Sequence, residues 1–314
     1  MTVHTRRKTE ALRYALGETI AGALDDPHVV EVMANPDGVI WTDRIGEGRK
    51  ATAVRISSDD AGAILRLLAD HAGIVVNQDT PLVSATLPET GERFQGVFPP
   101  ITPVPCFAIR KRPAVVFTID DYVRGGIMSG EIADELRSAL DGRRNILVIG
   151  GTGSGKTTLT NALLAEPAIS NDRVVIIEDT AELRCSARDS ISMLTKAIAP
   201  VITMADLARV TLRLRPDRIV VGEVRDGAAL EMIKLWNTGH PGGIATLHAN
   251  SPLDALYRLE DLVGEVTERV PQRQIGATIN LIVEIRRASD IKAGRVVSRI
   301  ARVRGFDQGK YQTD

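Results

Sequence analysis

Short apolar runs alternate with amphipathic stretches in the second half of the chain. Four such runs carry the pattern, at residues 145–149, 173–178, 218–223 and 243–247. Runs that are apolar throughout, with helical spacing between them, are typical of a parallel sheet whose two faces are covered by helices. The pattern therefore predicts an α/β domain with a parallel sheet over residues 131–314.

The first half mixes helix and strand patterns. Apolar residues recur every four positions near the N-terminus, at Leu12, Leu16, Ile20 and Leu24. Ser57 and Asp60 can cap a second helix that runs to about residue 71. Strand-like runs lie at 29–33, 39–43, 83–87, 93–98 and 107–111. These patterns predict a smaller α+β domain over residues 1–116, joined to the second domain by a linker at 117–130.

Composition and charge exclude several classes of protein. The chain has 314 residues, 44% of them hydrophobic, which is enough to bury about two ordinary cores. Its 39 basic and 40 acidic residues leave a net charge of −1, so no overall field attracts nucleic acid, and sequence-specific nucleic-acid binding is not expected. Cys106 and Cys185 form no C-x-x-C pair, which argues against a disulfide framework or a zinc site.

Hydropathy and the N-terminal charges bear on localisation. No run approaches 18 uncharged apolar residues and no signal peptide is recognisable, so we expect a cytoplasmic protein. Basic residues flank the first helix, at Arg6, Arg7, Lys8 and Arg13. They suit either peripheral attachment to a membrane surface or a solvated helix end, and the second interpretation is favoured.

The stretch GGTGSGKTT follows the apolar run at 145–149 and precedes a helical segment. It fits the pattern G-x-x-x-x-G-K-[ST] in the strand-to-helix context that this pattern requires, which a chance glycine-rich turn would lack. Backbone N–H groups of such a loop surround phosphate oxygens, while Lys156 reaches the β- and γ-phosphates and Thr157 offers its hydroxyl to Mg²⁺. The loop predicts an ATP site formed by Gly150, Gly151, Thr152, Gly153, Ser154, Gly155, Lys156, Thr157 and Thr158.

Polar residues close three of the apolar runs. Glu178 and Glu223 end two of them and His248 follows a third. Because the carboxyl ends of parallel strands meet at one edge of a sheet, these side chains are expected beside the phosphate-binding loop. Either carboxylate could hold Mg²⁺ through its waters, with Glu223 joining Thr157 in that role, or polarise the attacking water, and His248 could contact the γ-phosphate or act as an acid or base. The plainer alternatives are a turn, a helix cap and a packed histidine.

Four motifs in fixed order resemble a known family. They are GGTGSGKTT (150–158), IIEDTAEL (176–183), LRLRPDRIVVGEVRD (212–226) and TGHPGGIATLHAN (238–250). Together they are similar to the motor domain of the type II and type IV secretion ATPase superfamily, which implies a RecA-like P-loop fold. The first half adds NPDGVIW (35–41), ERFQGVFPPIT (92–102) and FAIRKR (107–112). These pieces resemble the traffic ATPases of type IV secretion, and most of all the ATPase of P-type conjugative DNA transfer.

The resemblance implies roles for individual residues of the second half. Lys156 and Thr157 match the phosphate and magnesium positions of the family. Glu178 matches the acidic residue of its Asp box, and Glu223 that of its second nucleotide motif. The histidine box of the family corresponds to His240 and His248.

The same resemblance implies a catalytic contribution from arginines of the first half. Arg93, Arg110 and Arg112 match the basic positions through which the N-terminal domain reaches nucleotide phosphates, and the choice between Arg110 and Arg112 stays open. The second half has basic residues of its own beyond Lys156, at Arg213 and Arg215. We expect the first-half arginines to act as a clamp on the transferring phosphate, and a neighbouring subunit could supply them.

The resemblance also implies the setting in which the protein works. It predicts a homohexameric ring, peripheral to the cytoplasmic face of the inner membrane, that hydrolyses ATP with Mg²⁺. Its partners would be other components of conjugation or type IV secretion, in pilus assembly or substrate export. Two alternatives stay open. A RecA-like DNA helicase or translocase should add a basic path with aromatic residues, yet aromatics are 4% of the chain. A scaffold that binds ATP without turnover would not need both glutamates.

Overall fold

The computed structural model describes residues 3–45, 47–88, 90–112, 116–196 and 200–314, with side chains described from residue 10 onward. The chain forms two compact units, Met1–Val115 and Val116–Asp314. The side chains of Arg6, Arg7 and Lys8, for which a membrane contact was considered, lie outside the described residues. No helix in the described part of the chain is long and apolar enough to span a membrane.

The first unit combines two helices with a sheet that has six strands among the described residues. Its elements are α1 (Val3–Asp25), β1 (Val29–Ala34), β2 (Val39–Arg44), β3 (Gly48–Arg55), α2 (Ser58–Ala72), β4 (Leu82–Thr86), β5 (Arg93–Val97) and β6 (Cys106–Arg110). The strand order is β3-β2-β1-β6-β5-β4, and every neighbouring pair is antiparallel. The α+β architecture predicted from sequence is therefore correct.

Apolar periodicity explains why these elements form. The stripe on α1 is buried at Leu12, Leu16 and Ile20 and packs against α2 and the sheet. The Ser57 side chain accepts a hydrogen bond from the backbone N–H of Asp60, as the capping pattern predicts. Strand β3 was not predicted, because its eight residues carry no buried position and give no apolar signal.

The second unit has eight strands and seven helices among the described residues. Its elements are α3 (Ile119–Arg124), α4 (Gly130–Asp141), β7 (Ile146–Ile149), α5 (Lys156–Leu164), β8 (Arg173–Glu178), β9 (Asp189–Leu194), α6 (Met204–Thr211), β10 (Arg218–Val224), α7 (Ala228–Asn237), β11 (Ile244–Leu247), α8 (Pro252–Gly264), α9 (Gln272–Thr278), β12 (Leu281–Arg287), β13 (Arg295–Asp307) and β14 (Lys310–Thr313). The strand order is β14-β13-β12-β7-β11-β10-β8-β9.

Six neighbouring strands of this sheet, from β12 to β9, are parallel, and β13 and β14 extend it antiparallel at one side. Strand β7 shows why the sheet is covered on both faces. Ile146 and Val148 pack with α3, α4 and α5, whereas Leu147 and Ile149 pack with α6 to α9. All four residues are fully buried. The predicted α/β fold with a parallel sheet is thus confirmed, and the antiparallel extension is an addition to it.

The segment predicted as a linker is part of the second unit's core. Within residues 117–130, Ile119 and Tyr122 of α3 are buried against α4 and α5, and Met128 joins them. Thr118 caps α3 through a reciprocal pair of hydrogen bonds with Asp121. Burial of its apolar side holds the short helix α3 in the fold of the second unit.

Candidate active site

The phosphate-binding loop lies between the end of β7 and the start of α5. Gly153 and Gly155 have φ of 67° and 105°, in the left-handed region that favours glycine. A Cβ on Gly150 would overlap the carbonyl oxygen of Ile285 on neighbouring β12, so the loop and that strand touch through their backbones. The Ser154 hydroxyl is buried and has no hydrogen-bond partner among the described residues. An unsatisfied donor inside a loop of this shape fits the oxygen-rich triphosphate of a nucleotide.

Lys156 is held inside the loop and not on its surface. It is 7% exposed, and its Nζ donates to the carbonyl oxygens of Gly150 at 3.0 Å and Gly151 at 3.3 Å. The same Nζ lies 3.3 Å from both ring nitrogens of His248. The ammonium group is therefore directed towards His248.

His248 and Glu223 form the next two members of this chain of contacts. His248 Nε2 lies 2.8 Å from Glu223 Oε1, and Arg225 donates to the other carboxylate oxygen. Lys156 Nζ can donate to a ring nitrogen of a neutral His248, while the short distance between His248 Nε2 and Glu223 Oε1 brings the imidazole against the carboxylate. The contacts run Lys156, His248, Glu223, Arg225 along the carboxyl ends of β7, β11 and β10.

Burial and neighbouring charges set the protonation states of His248 and Glu223. Burial lowers the pKa of His248, the Lys156 ammonium lowers it further, and Glu223 opposes them without reversing the shift. Burial would raise the pKa of Glu223, but the hydrogen bond and charge of Arg225, with the charges of His248 and Lys156, bring it below its ordinary value. At neutral pH His248 is therefore neutral and Glu223 ionised, which leaves a base and an acceptor beside the phosphate-binding lysine.

Glu178 lies at the same sheet edge but is tied to the following loop. It is 2% exposed, and its Oε1 accepts hydrogen bonds from the backbone N–H groups of Glu182 at 3.0 Å and Leu183 at 2.9 Å. A Cβ on Gly222 would lie 2.9 Å from Glu178 Cγ, so the glycine before Glu223 gives this side chain its space. One oxygen of Glu178 thus orders the loop after β8, which is the plainer interpretation that the sequence had left open.

The residues around Thr157 fit a magnesium ion. The Thr157 hydroxyl lies 3.4 Å from a carboxylate oxygen of Glu182. Hydroxyl and carboxylate oxygens are the ligands that Mg²⁺ takes in phosphate sites, where it is bound by one or two protein groups, substrate phosphates and water. The sequence predicts a pairing of Thr157 with Glu223, whereas the contact in the structure is with Glu182.

The two histidines of the histidine box lie at opposite edges of the sheet. His248 follows the carboxyl end of β11, but His240 precedes its amino end. There the backbone N–H groups of Gly242 and Gly243 both donate to the Asn145 side chain at 2.9 Å, at the amino end of β7. Within one chain only His248 is next to the phosphate-binding loop, so the two histidines cannot act together on one nucleotide of that chain.

The three arginines of the first half belong to the first unit. Arg93 on β5 and Arg110 on β6 are direct cross-strand neighbours on one face of the sheet, while Phe94 and Ile109 fill the other face. Like charges placed opposite each other weaken a strand pair, unless an anion or an acidic neighbour compensates them. Arg112 lies past the end of β6 against Gly91. A contact of any of the three with nucleotide stays a prediction.

Three further arginines near the site were not recognised in the sequence as part of it. Arg225 pairs with Glu223, and Arg287 and Arg295 lie against Gly153 and Gly155 of the phosphate-binding loop. Arg225 stands inside a quoted motif and could have been found by its position two residues after Glu223. No local pattern marks the other two, because the pairing of β12 with β7 brings them to the loop from a distant part of the chain.

A parallel sheet with helices on both faces, a glycine-rich phosphate-binding loop after β7 and carboxylates at the adjacent strand ends define a P-loop nucleotide-binding protein. The family description that matches residues 67–307 is "Type II/IV secretion system protein". That match spans more than half of the chain. The chain therefore belongs to the type II/IV secretion system protein family.

Individual relatives agree with this assignment. "Conjugal transfer protein TrbB" of Rhizobium radiobacter is 44% identical over 310 residues, which cover 98% of this chain and 94% of the relative. "Type IV secretion system protein VirB11" of Bartonella quintana is 30% identical over 286 residues, covering 79% of this chain and 80% of the relative. The solved ATPase DotB of Legionella pneumophila has a TM-score of 0.63 at 19% identity, covering 98% of this chain and 81% of its own, and shows the shared fold.

Proposed function

We propose that this protein hydrolyses ATP to energise conjugative DNA transfer through a type IV secretion apparatus. The observation that carries the proposal is the chain of contacts from Lys156 through His248 to the ionised Glu223 at the mouth of a phosphate-binding loop. A relative that is 44% identical over nearly the whole chain is described as a conjugal transfer protein, and the VirB11-type relative belongs to type IV secretion by its description.

Each residue in this series of contacts can perform one step of ATP hydrolysis. The loop amides and Lys156 bind and orient the β- and γ-phosphates, so that the γ-phosphorus is presented towards His248 and Glu223. The Glu223 carboxylate polarises the attacking water, while His248, 2.8 Å from the carboxylate, helps to hold Glu223 in place. Mg²⁺, held by Thr157 with Glu182 nearby, would neutralise charge on the phosphate oxygens.

The working form that we propose is a homohexamer at the cytoplasmic side of the inner membrane. The type IV secretion relatives support a place in a multi-component apparatus, in pilus assembly or in substrate export. Arginines of the first unit, foremost Arg93 and Arg110, would complete the charge around the transferring phosphate. Closed rings form when one surface of a subunit binds a different surface of the next, which is the arrangement a shared active site needs.

The first test removes the phosphate-binding charge. Lys156→Ala should abolish phosphate release from ATP, because the one ammonium aimed at the β- and γ-phosphates is lost. Lys234→Ala is the matched control, since Lys234 is an exposed lysine of α7 that pairs with Glu231. Lys156 is buried, so thermal unfolding of both variants must be measured beside the hydrolysis rate. Parent-like hydrolysis by Lys156→Ala would reject the site, and a rate that rises strongly with added single-stranded DNA would favour the translocase alternative.

A further inference from the structure

Two arginines where β12 meets the antiparallel strand β13 lie against the phosphate-binding loop. Arg287 ends β12 and Arg295 begins β13, and the two are direct cross-strand neighbours. Arg287 Nε donates to the Gly153 carbonyl at 3.4 Å, and a Cβ on Gly153 would overlap its guanidinium group. A Cβ on Gly155 would lie 2.7 Å from Nη1 of Arg295. Both guanidinium groups therefore touch the backbone that would surround the phosphates.

Backbone pairing fixes this position. Strand β12 runs parallel to β7, with Glu284 beside Ile149, the last residue before the loop. The next residue, Ile285, meets Gly150 through its carbonyl oxygen, and β12 continues past the loop to Arg287. Strand β12 is thus long enough to place a charged end alongside the loop.

The charges of Arg287 and Arg295 indicate a role beyond packing against the loop. Among the residues that the structure describes, neither Arg287 nor Arg295 forms an ion pair with a carboxylate. Two like charges directly opposite each other on neighbouring strands repel, so the pair is unfavourable until an anion lies between or beside them. Arginine is also the side chain best suited to bind phosphate oxygens in a bidentate manner.

The strand order places different groups on the two flanks of the loop. Lys156 points towards His248 and Glu223 on β11 and β10, the side to which the γ-phosphate and its attacking water are assigned above. Arg287 and Arg295 stand on the other flank, beyond β7. A polyphosphate lying along the loop would therefore meet them with its nucleoside-proximal part.

We propose that Arg287 and Arg295 form a second phosphate contact within the same subunit, which binds the α- and β-phosphates of the nucleotide. The contact is present for ATP and ADP alike, so it anchors the nucleotide without acting on the reacting γ-phosphate. It rests on the proposed nucleotide site and adds the residues that hold its diphosphate end.

The test measures equilibrium binding to the full-length protein. The variants are Arg287→Ala, Arg295→Ala and the double variant, with Arg286→Ala as the matched control on the same exposed strand end. The probes are a fluorescent ADP analogue and unlabelled inorganic diphosphate, which competes for the phosphate positions but has no base or ribose. Charge-assisted hydrogen bonds of this kind are worth roughly tenfold to hundredfold in affinity, so each single variant should weaken ADP and diphosphate by about tenfold. Arg286→Ala should bind both like the parent.

Steady-state hydrolysis supplies the second readout. The double variant should show a raised KM for ATP with kcat near the parent value at saturation, because the contact is equal in the ground state and the transition state. A double Arg→Lys variant, which keeps the charges, should recover part of the affinity and controls for damage to the fold. Thermal unfolding of each variant accompanies both measurements.

The possible outcomes distinguish failure of this inference from failure of the proposed nucleotide site on which it rests. Weaker binding of ADP with unchanged competition by diphosphate would mean contact with the base or ribose, and would overturn the proposal. Unchanged affinity for both probes would overturn it too. If the parent protein itself binds neither probe, the nucleotide site fails and not the role of these two arginines alone.

Discussion

Glu223 shares its two carboxylate oxygens between His248 and Arg225. An amide in its place could still contact both neighbours, but it could not polarise a water molecule as a carboxylate does. Glu223→Gln should therefore keep ADP binding near the parent value and lower kcat by about 10² to 10⁴. Glu231→Gln, a change of the same kind on the surface of α7, should leave both unchanged. Parent-like turnover by Glu223→Gln would move the water-activating role to another residue.

His248 gives the site a dependence on pH whose sign follows from its surroundings. Burial and the Lys156 ammonium lower its pKa in the folded protein below the 6.5 of the unfolded chain. As the pH falls through that range the unfolded chain takes up more protons than the folded one, so the free energy of unfolding decreases. This contribution is absent in His248→Gln, which cannot titrate there.

The measurement is chemical denaturation of the parent and His248→Gln between about pH 7.5 and about pH 5.5, a range that brackets the ordinary pKa of histidine. The parent should lose more stability than the variant on acidification. Parallel curves for the two proteins, or a larger loss in the variant, would contradict the lowered pKa.

Individual residues also show which parts of the candidate site could be predicted from the sequence. The proximity of Lys156, Glu223 and His248 could be predicted because each lies next to an apolar run whose direction in a parallel sheet is fixed by the fold class. The contact of Glu182 with Thr157 was not predicted because a carboxylate in a loop has no distinguishing pattern. Arg287 and Arg295 reach the loop only through pairing of strands that are distant in the chain, which local periodicity does not encode.

At the scale of elements, the LRLRPDRIVVGEVRD motif places important residues at both ends of strand β10. Glu223 acts at the carboxyl end of β10, while Arg218 at the amino end is 1% exposed. Arg218 forms a salt bridge with Asp172 and donates to the carbonyl oxygens of Leu140 at 2.8 Å and Gly242 at 3.4 Å. The arginine therefore ties α4, β8 and the turn before β11 to one strand.

Loss of the buried Arg218 side chain should lower the free energy of unfolding without a direct effect on ATP hydrolysis. Arg218→Met keeps most of the volume but removes the buried partner of Asp172, which is left with the more exposed Arg143, and loses a donor to two carbonyl oxygens. Breaking a buried pair in this way costs about 3–5 kcal/mol. Arg209→Met, which removes an exposed partner of Asp206 on α6, should change the free energy of unfolding by less than about 1 kcal/mol. The measurement is denaturant unfolding of each variant, with ADP affinity as the second readout. A stable Arg218→Met protein would show that the buried network contributes little.

Helices and strands could be predicted where the apolar pattern of the sequence is clear, and they were missed where it is not. The bounds of β8 agree with its apolar run to the residue, and β7 and β11 differ from theirs by one position. Strand β9 alternates exposed and half-buried residues, and β13 is long and largely polar, so neither gave a signal. Both are held by backbone pairing with a neighbouring strand, which a single sequence does not reveal.

At the scale of the whole molecule, the arginines of the first unit and the nucleotide loop of the second belong to separately folded bodies. Arg93 and Arg110 are opposite each other on one sheet face, an arrangement suited to two contacts with one phosphate group. A clamp of this kind on the transferring phosphate is worth roughly 10³ to 10⁵ in rate. If a ring of subunits shares its sites, the clamp and the loop that serve one nucleotide come from different chains.

Complementation between inactive variants tests this sharing. An Arg93→Ala, Arg110→Ala double variant keeps its nucleotide loop but lacks the clamp, whereas Lys156→Ala keeps the clamp but lacks the phosphate-binding lysine. Mixed under conditions where subunits exchange, the two should restore part of the ATPase activity, because some interfaces then pair an intact loop with an intact clamp. Arg49→Ala, on the exposed strand β3, serves as the control and should be active alone. Rings that contain both variants, verified by differential labelling, and yet release no phosphate would place clamp and loop within one chain, since a clamp that acts in its own subunit cannot be supplied by a neighbour.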